Sequence, residues 1–235
     1  MQETGFIKLA CFRRLFLMDS ILSYIFSNIS SFDHNVLKAV NSTMRSGILD
    51  SIMPYITKLG DAGIFWIALA LILLIPKKTR RTGAAMGVAM VLGLIIGNGI
   101  IKNVVARPRP FDISNTVLPR KSLLISPPTD YSFPSGHTLA SFEAATALYK
   151  DHTLYGFAAF VLAILIAFSR ISLQVHYPSD VIGGAILGFL LGLLGSTIVR
   201  AVCDKWAEHK AKKEADAAEE KKSSEESSEE APQYH

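Results

Sequence analysis

Long apolar segments alternate with short polar ones along most of the chain, a pattern that is typical of membrane-spanning helices. Four segments approach the roughly 20 apolar residues that a helix needs to cross a bilayer. They cover residues 54–75, 83–101, 154–168 and 181–199. Residues 137–149 are apolar but shorter, and they can span the membrane if they lie inside a bundle and are extended by a turn. We therefore predict an all-α integral membrane bundle of five to six transmembrane helices.

The N-terminal region carries no span of the same clarity. Residues 15–32 are interrupted by Asp19 and by several serines, and residues 32–50 mix apolar and polar side chains at helical spacing. Both segments are interpreted as amphipathic helices, so that residues 1–50 lie in the membrane interface. The alternative is that residues 15–31 form a sixth span.

The charge pattern agrees with a membrane protein. The net charge is +4, but the basic residues flank apolar segments and form no contiguous stripe, so no nucleic-acid partner is expected. The apolar run after Arg13 and Arg14 stops at Asp19 without a small-residue cleavage site, which argues against a signal peptide. Cys11 and Cys203 lie at opposite ends of the chain and suggest neither a disulfide framework nor a zinc site.

The loops between the spans predict the orientation of the chain. Residues 76–81 hold four basic residues, which places this loop in the cytoplasm under the positive-inside rule. Alternation of the spans then places residues 102–136 and 170–179 on the extracytoplasmic face and the C-terminus in the cytoplasm. Lys102 and Arg170 lie in these outer segments against the rule, which indicates a chemical role for them.

The C-terminal residues 204–235 are rich in Lys, Glu, Ala and Ser and have too few apolar side chains to build a core. We predict a short helical start followed by a charged, disordered cytoplasmic tail, which leaves residues 51–203 as the membrane domain. Within that domain, glycines recur at every fourth residue, a spacing that lets helices pack closely in lipid. These are Gly93 and Gly97, and Gly184, Gly188 and Gly192.

Three polar clusters lie at helix ends on the predicted outer face. The cations Lys102, Arg109 and Arg170 would form a strong anion site, because the arginine fork matches phosphate oxygens. Ser135 and Gly136 follow a proline at the expected start of a helix, where free backbone amides and the helix dipole favour an anion. We therefore predict that these five residues hold a phosphate group.

Two histidines complete the predicted site. His176 and Asp180 are four residues apart around Pro178, a favourable first-turn residue, so Asp180 can accept the ring N–H of His176. The other ring nitrogen of His176 is then free to act as a nucleophile. His137 follows Gly136 and can protonate a leaving oxygen as a general acid. No further acidic cluster accompanies these residues, so we expect neither a metal site nor a cofactor.

The spacing of these residues resembles the signatures of the type 2 phosphatidic acid phosphatase (PAP2) superfamily, which includes the vanadium haloperoxidases. The signatures Lys-x6-Arg-Pro, Pro-Ser-Gly-His and Ser-Arg-x5-His-x3-Asp are complete and in order. They read Lys102…Arg109-Pro110, Pro134-Ser135-Gly136-His137 and Ser169-Arg170…His176…Asp180. The resemblance covers roughly residues 50–200 and implies a PAP2/vanadium-haloperoxidase-like helical core. Integral members usually have six spans, and the first is weak here.

The resemblance further implies hydrolysis of phosphate esters or anhydrides without a metal, through a phosphohistidine intermediate. By position, His176 is implied to be the nucleophile, Asp180 its orienting partner and His137 the general acid. The implied phosphate-binding set is Lys102, Arg109, Ser135, Gly136 and Arg170. Integral members act on lipid phosphates, so a lipid phosphate is the expected substrate and the bilayer the expected environment.

Alternative interpretations remain open for the substrate and for the class of protein. Undecaprenyl diphosphate is favoured because the predicted site faces out of a compact, bacterial-type chain, and phosphatidylglycerol phosphate or phosphatidic acid is the alternative. Two other classes are a haloperoxidase, whose members are soluble, and a non-enzymatic lipid-binding or transport protein, which needs no nucleophile. The sequence does not set the oligomeric state. Arg107, Arg120 and Lys121 either assist headgroup binding or are ordinary surface charges, and the interpretation as surface charges is favoured.

Overall fold

The computed structural model describes residues 27–44, 47–112 and 122–229, with side chains as far as residue 217. These residues form helices and turns and no β-strand, which confirms the predicted all-α fold. The helices are α1 (27–43), α2 (Gly47–Lys58), α3 (Ile64–Leu74), α4 (Arg80–Gly93), α5 (Lys102–Val105), α6 (Gly136–Asp151), α7 (Thr153–Ser172) and α8 (Pro178–Glu229). A π-helical segment, Leu94–Ile101, joins α4 to α5, and 3-10 turns cover Asp61–Gly63 and Pro110–Asp112.

Within the described residues, four helical segments are long and apolar enough to cross a membrane, and they correspond to the four clear spans that the sequence predicts. They are Gly47–Leu74, Arg80–Asp112, Thr153–Ser172 and Pro178–Ala217. The first combines α2 and α3 across a turn, so it begins before the predicted residue 54. Helix α6 has 16 residues. At 1.5 Å per residue it is roughly 24 Å long, shorter than the ~30 Å hydrocarbon core of a bilayer.

Helix α6 lies at the centre of the bundle and packs against α4, α7 and α8. A Cβ atom on Gly184, Gly188 or Gly192 of α8 would lie 2.6–2.9 Å from a backbone oxygen of α6 or of its N-cap residue. A Cβ atom on Gly93 or Gly97 would clash with α6 side chains from the other side. The predicted close packing at these glycines is therefore confirmed, and it brings the polar ends of three helices together.

The space between the helices is filled by apolar side chains such as Trp66, Met86, Leu148 and Ile166. The buried indole of Trp66 also donates a hydrogen bond from Nε1 to Ser141 Oγ at 3.0 Å, so its one polar atom is satisfied. In lipid, such packing and interhelical hydrogen bonds hold helices together, because the surrounding chains are as apolar as the side chains.

Helix α1 packs against the loop that precedes α8. Leu37 and Val40 are buried, and Gln174 donates a hydrogen bond from Nε2 to the carbonyl of Leu37 at 3.2 Å. Helix α1 therefore crosses the predicted boundary at residue 32, and its buried face contacts protein. Its position in the membrane interface stays a prediction. The predictions for residues 1–26 lie outside the described residues.

The C-terminal region differs from the predicted disordered tail. Helix α8 continues without a break to Glu229, well beyond the predicted boundary at residue 204. Lys, Glu and Ala are strong helix formers. Pairs such as Lys210 and Glu214, 3.5 Å apart at i,i+4, add to this preference. Residues 204–217 are almost entirely exposed, so the extension adds no core.

Candidate active site

Three polar segments meet at one end of the bundle. They are α5 with the loop that follows it, the N-terminus of α6, and the loop between α7 and α8. Several ionisable side chains there are almost fully buried: Lys102, Arg109 and Arg170 are 7%, 3% and 2% exposed, and His176 is 1% exposed. Buried charges are costly unless they are paired, so their concentration at one place indicates a binding site.

Arg109 joins the first predicted motif to the third. Its Nη1 donates to the carbonyl of Val175 at 2.7 Å and lies 3.2 Å from His176 Nε2. Its Nε donates to the backbone carbonyl of Asp130 at 2.7 Å. These contacts fix the guanidinium beside the imidazole that the sequence predicts as the nucleophile.

The carboxylate of Asp130 bridges the first two predicted phosphate-binding cations. It accepts hydrogen bonds from Lys102 Nζ and, at 2.6 Å, from Arg109 Nη2. Partial burial alone would raise the pKa of the Asp130 carboxyl, but the hydrogen bond from Lys102 and the charges of both cations lower it to about 2. Sequence analysis missed this residue, which stands in the loop just before the Pro-Ser-Gly-His motif. An anion therefore already lies where the cations are predicted to hold phosphate.

His176 faces Asp180, as the four-residue spacing predicts. Its Nδ1 lies 3.5 Å from Asp180 Oδ2, longer than an ordinary hydrogen bond, and has no other partner in the described part of the chain. Burial, reinforced by the charges of Arg109 and Arg170, lowers the pKa of His176 to about 3 despite the opposing effect of Asp180. The imidazole is therefore neutral at neutral pH, with Nε2 directed towards Arg109.

The carboxylate of Asp180 is held firmly by other groups. Its Oδ2 accepts hydrogen bonds from Ser132 Oγ at 2.5 Å and from the backbone N–H of Tyr177 at 2.9 Å. Its Oδ1 accepts one from Arg107 Nη1 at 2.6 Å. Asp180 is fully buried, so these contacts fix its position relative to the His176 ring.

The interpretation of Arg107 as an ordinary surface charge is wrong. Besides Asp180, its guanidinium binds Asp33 Oδ2 through Nη2 at 2.6 Å, and it lies over the ring of Tyr177 at 3.9 Å from the centroid. Asp33 is 1% exposed and also accepts the backbone N–H of Ser179 at 2.9 Å. A buried ionic network therefore links α1 to Asp180. The other two residues of that interpretation, 120 and 121, lie outside the described residues.

Ser135 and Gly136 lie at the start of α6, as predicted, with Ser135 at the N-cap. The backbone N–H of Ser135 donates to the carbonyl of Asp180 at 3.1 Å, so this amide is engaged within the protein. Ser135 Oγ accepts a hydrogen bond from Thr138 Oγ1 at 3.0 Å. The first amide bonded within the helix is that of Leu139, which donates to Ser135, so the preceding amides form the positive helix end.

Arg170 lies deep in the same region. Its Nη1 donates to Thr57 Oγ1 at 2.6 Å, whereas its Nε is buried without a hydrogen-bond partner among the described residues. Arg109 and Arg170 also lie close enough to act electrostatically on each other. Two neighbouring guanidinium groups, one of which has an unsatisfied donor, form an arrangement that an oxyanion would stabilise.

His137 is the second predicted imidazole. Its Nε2 lies 2.8 Å from Asp61 Oδ1, a carboxylate that sequence analysis missed because it falls within the predicted first span, residues 54–75. Arg109 and Arg170 act electrostatically on both His137 and His176, so both imidazoles lie near the same two guanidinium groups. All the predicted site residues are thus brought together, while their individual roles remain predictions. They are Lys102, Arg109, Ser135, Gly136, His137, Arg170, His176 and Asp180.

Comparison with known proteins agrees with this geometry. A model of the PAP2 superfamily matches residues 82–202. An undecaprenyl-diphosphatase of Sulfolobus acidocaldarius is 33% identical over 187 residues, which cover 78% of this chain and 87% of the relative. An undecaprenyl-diphosphatase of Bacillus subtilis is 31% identical over 163 residues, which cover 69% of this chain and 81% of the relative. The chain belongs to the PAP2 superfamily.

The fold is also similar to that of a solved membrane phosphatase. A transmembrane PAP2-type phosphatidylglycerolphosphate phosphatase from Bacillus subtilis aligns with a TM-score of 0.59 and 28% sequence identity. The alignment covers 82% of this chain and 95% of that chain. With its apolar membrane-spanning helices and its cationic site, the chain is a membrane phosphatase of the PAP2 type.

Proposed function

We propose that the chain hydrolyses undecaprenyl diphosphate to undecaprenyl phosphate and inorganic phosphate, with His176 as the nucleophile. The observation that carries this proposal is the 3.2 Å contact between His176 Nε2 and the Arg109 guanidinium. It brings a neutral nitrogen next to a fixed cation that can bind the phosphoryl group under attack. The relatives named undecaprenyl-diphosphatase support the choice of substrate.

The reaction proceeds in two displacements. His176 Nε2 attacks the terminal phosphorus, a nitrogen–phosphorus bond forms, and the bond to the bridging oxygen breaks. The electron pair of that bond stays on the leaving oxygen, which takes a proton from His137. Water then attacks the phosphohistidine, returns a proton to His137, and releases phosphate from His176.

The surrounding charges stabilise both steps. The Asp180 carboxylate, fixed by Arg107 and Ser132, faces His176 Nδ1 and offsets the positive charge of the phosphorylated imidazole. Arg109 and Arg170 bind the phosphoryl oxygens, as do the first amides of α6. Lys102 joins them once the phosphate displaces the Asp130 carboxylate from it.

The site faces the extracytoplasmic side, and the C-terminus is cytoplasmic. Arg80 and Lys102 stand at opposite ends of a continuous helical stretch, which spans roughly 30 Å at 1.5 Å per residue. The basic loop at residues 76–81 favours the cytoplasm, so this distance supports a site on the other face. A lipid substrate enters from the bilayer and presents its phosphate to the buried cations.

A substrate panel tests the proposed activity. The purified full-length chain in detergent, with EDTA present, is given undecaprenyl diphosphate, phosphatidylglycerol phosphate or phosphatidic acid at equal mole fraction, and released phosphate is measured. We expect the highest kcat/KM on undecaprenyl diphosphate. His176→Ala should abolish release, whereas His209→Ala, in the exposed extension of α8, should leave it unchanged.

The results separate the alternatives. A preference for phosphatidylglycerol phosphate would favour the activity named for the structural relative from Bacillus subtilis. Full activity of His176→Ala would contradict the assignment of the nucleophile. Binding of lipid phosphate without turnover would favour a non-enzymatic lipid-binding or transport protein.

A further inference from the structure

The turn between α2 and α3 contacts the predicted general acid. Asp61, in this turn at residues 59–63, lies 2.8 Å from His137 Nε2 through its Oδ1 atom. The carboxylate side chain is 56% exposed, whereas the imidazole is 19% exposed, so Asp61 reaches inward from the edge of the site. The turn lies outside residues 82–202, the part of the chain that matches the family model.

The backbone of this turn is shaped around the imidazole. A Cβ atom on Gly60 would lie 2.7 Å from His137 Cδ2, so only glycine lets the backbone come this close to the ring. Ala62 and Gly63 have positive φ angles of 49° and 67°, a left-handed conformation that is uncommon for alanine. A residue other than glycine keeps this left-handed backbone conformation only where the surrounding structure requires it, often at functional sites. Here it turns the chain so that Asp61 meets His137.

The charges around His137 indicate the role of the Asp61 carboxylate. Burial of His137, together with the positive charges of Arg170 and Arg109, opposes the protonation that a general acid needs. The Asp61 carboxylate acts in the opposite direction and fixes one ring nitrogen. The other nitrogen, Nδ1, is left to carry the proton for the leaving oxygen.

We propose that Asp61 is a positioning residue that orients His137 and stabilises its protonated form, as Asp180 does for His176. This inference rests on the proposed role of His137 as general acid. During cleavage the bond from phosphorus to the leaving oxygen breaks, and that oxygen takes the Nδ1 proton of His137. Asp61 keeps its hydrogen bond to Nε2–H throughout. The proton returns from the water that hydrolyses the phosphohistidine.

The dependence of the rate on the leaving group tests this role. An alkyl phosphate expels a poor leaving group that needs the proton, whereas p-nitrophenyl phosphate expels a stable anion that does not. We expect Asp61→Asn to lower kcat/KM on an alkyl phosphate at least about tenfold, a part of the roughly 10²–10⁴-fold that general acid catalysis contributes. Its kcat/KM on p-nitrophenyl phosphate should change less than about threefold, because this ratio reports only the steps up to loss of the leaving group, and phosphate binding and the nucleophile are untouched. Asp61→Glu should restore part of the loss.

Two further variants make every outcome decisive. His137→Ala should show the same selective loss as Asp61→Asn, and Asp204→Asn, an exposed aspartate paired with Arg81 elsewhere, should behave as the wild type. A selective loss in His137→Ala without one in Asp61→Asn would overturn the inference alone. No selective loss in His137→Ala would overturn its role as general acid, and the inference with it. Equal losses on both substrates in Asp61→Asn would indicate a merely structural role and also overturn it.

Discussion

The Asp130 carboxylate is bound to Lys102 and Arg109, the two cations that we propose bind phosphate, so the substrate must displace it. Asp130→Asn removes the negative charge and keeps a side chain of the same size. The pKa of Asp130 falls from an ordinary 3.8 to about 2, which corresponds to roughly 2.5 kcal/mol at 1.36 kcal/mol per pH unit. The side chain is 52% exposed, so solvent screening reduces the interaction to about 1 kcal/mol. Loss of this competitor should therefore tighten phosphate binding about fivefold.

The assay is competitive inhibition by inorganic phosphate, measured as Ki at constant pH and detergent concentration. We expect Ki to fall for Asp130→Asn and to stay unchanged for Asp204→Asn, whose aspartate pairs with Arg81 outside the site. An unchanged or higher Ki for Asp130→Asn would refute the reasoning. It would mean that the carboxylate positions Lys102 and Arg109 for binding and does not compete with phosphate.

Three further outcomes follow from the same geometry. Asp33→Asn leaves the Arg107 guanidinium with one carboxylate partner, Asp180, and should lower kcat about tenfold with a smaller change in KM. An unaltered kcat would show that α1 does not influence Asp180. Burial lowers the pKa of His176 to about 3, below its ordinary 6.5, so the ring stays neutral as the pH falls from 7 to 5. The ¹⁵N NMR signals of His176 should therefore not titrate in that interval, and a transition there would contradict the buried, neutral nucleophile. A Cβ atom on Gly188 would lie 2.6 Å from the Leu139 carbonyl oxygen, so Gly188→Ala should destabilise the protein by about 1–3 kcal/mol in thermal unfolding. Gly87 has open space around it, so Gly87→Ala should be neutral or stabilising by up to about 1 kcal/mol.

The spans and the cationic residues were predictable because each depends on local sequence. A bilayer requires long apolar runs, so residues 83–101 and 181–199 identify their helices without knowledge of their neighbours. The glycine spacing of α8 likewise predicts a close helix contact, although not that α6 is the partner. Lys102 and Arg170 were predictable as site residues because positive charge is unusual at the outer boundary of a membrane.

The carboxylates that complete the site were not predictable in this way. Asp33 and Asp130 stand in polar segments where an acidic residue is unremarkable, and Asp61 falls within the predicted first span, where the sequence does not identify its partner. Each becomes informative only when the fold brings it to a distant base, as with Asp33 and Arg107 across 74 positions of sequence. A pattern of apolar and polar residues carries no information about such pairs.

The α8 extension shows a different limit of sequence reasoning. Low apolar content correctly indicates that residues 204–217 bury no core, but it does not indicate whether the backbone is helical. Helix propensity and i,i+4 charge pairs can extend a helix that the membrane segment has already nucleated.

Covalent capture of the phosphoryl group tests the central claim most directly. The full-length protein in detergent and EDTA is mixed with undecaprenyl diphosphate labelled in its terminal phosphate, quenched in alkali within a single turnover, and digested for peptide analysis. The account predicts acid-labile label on the peptide that contains His176, and none in His176→Ala. Turnover that proceeds without label on His176, or label on another residue, would contradict it.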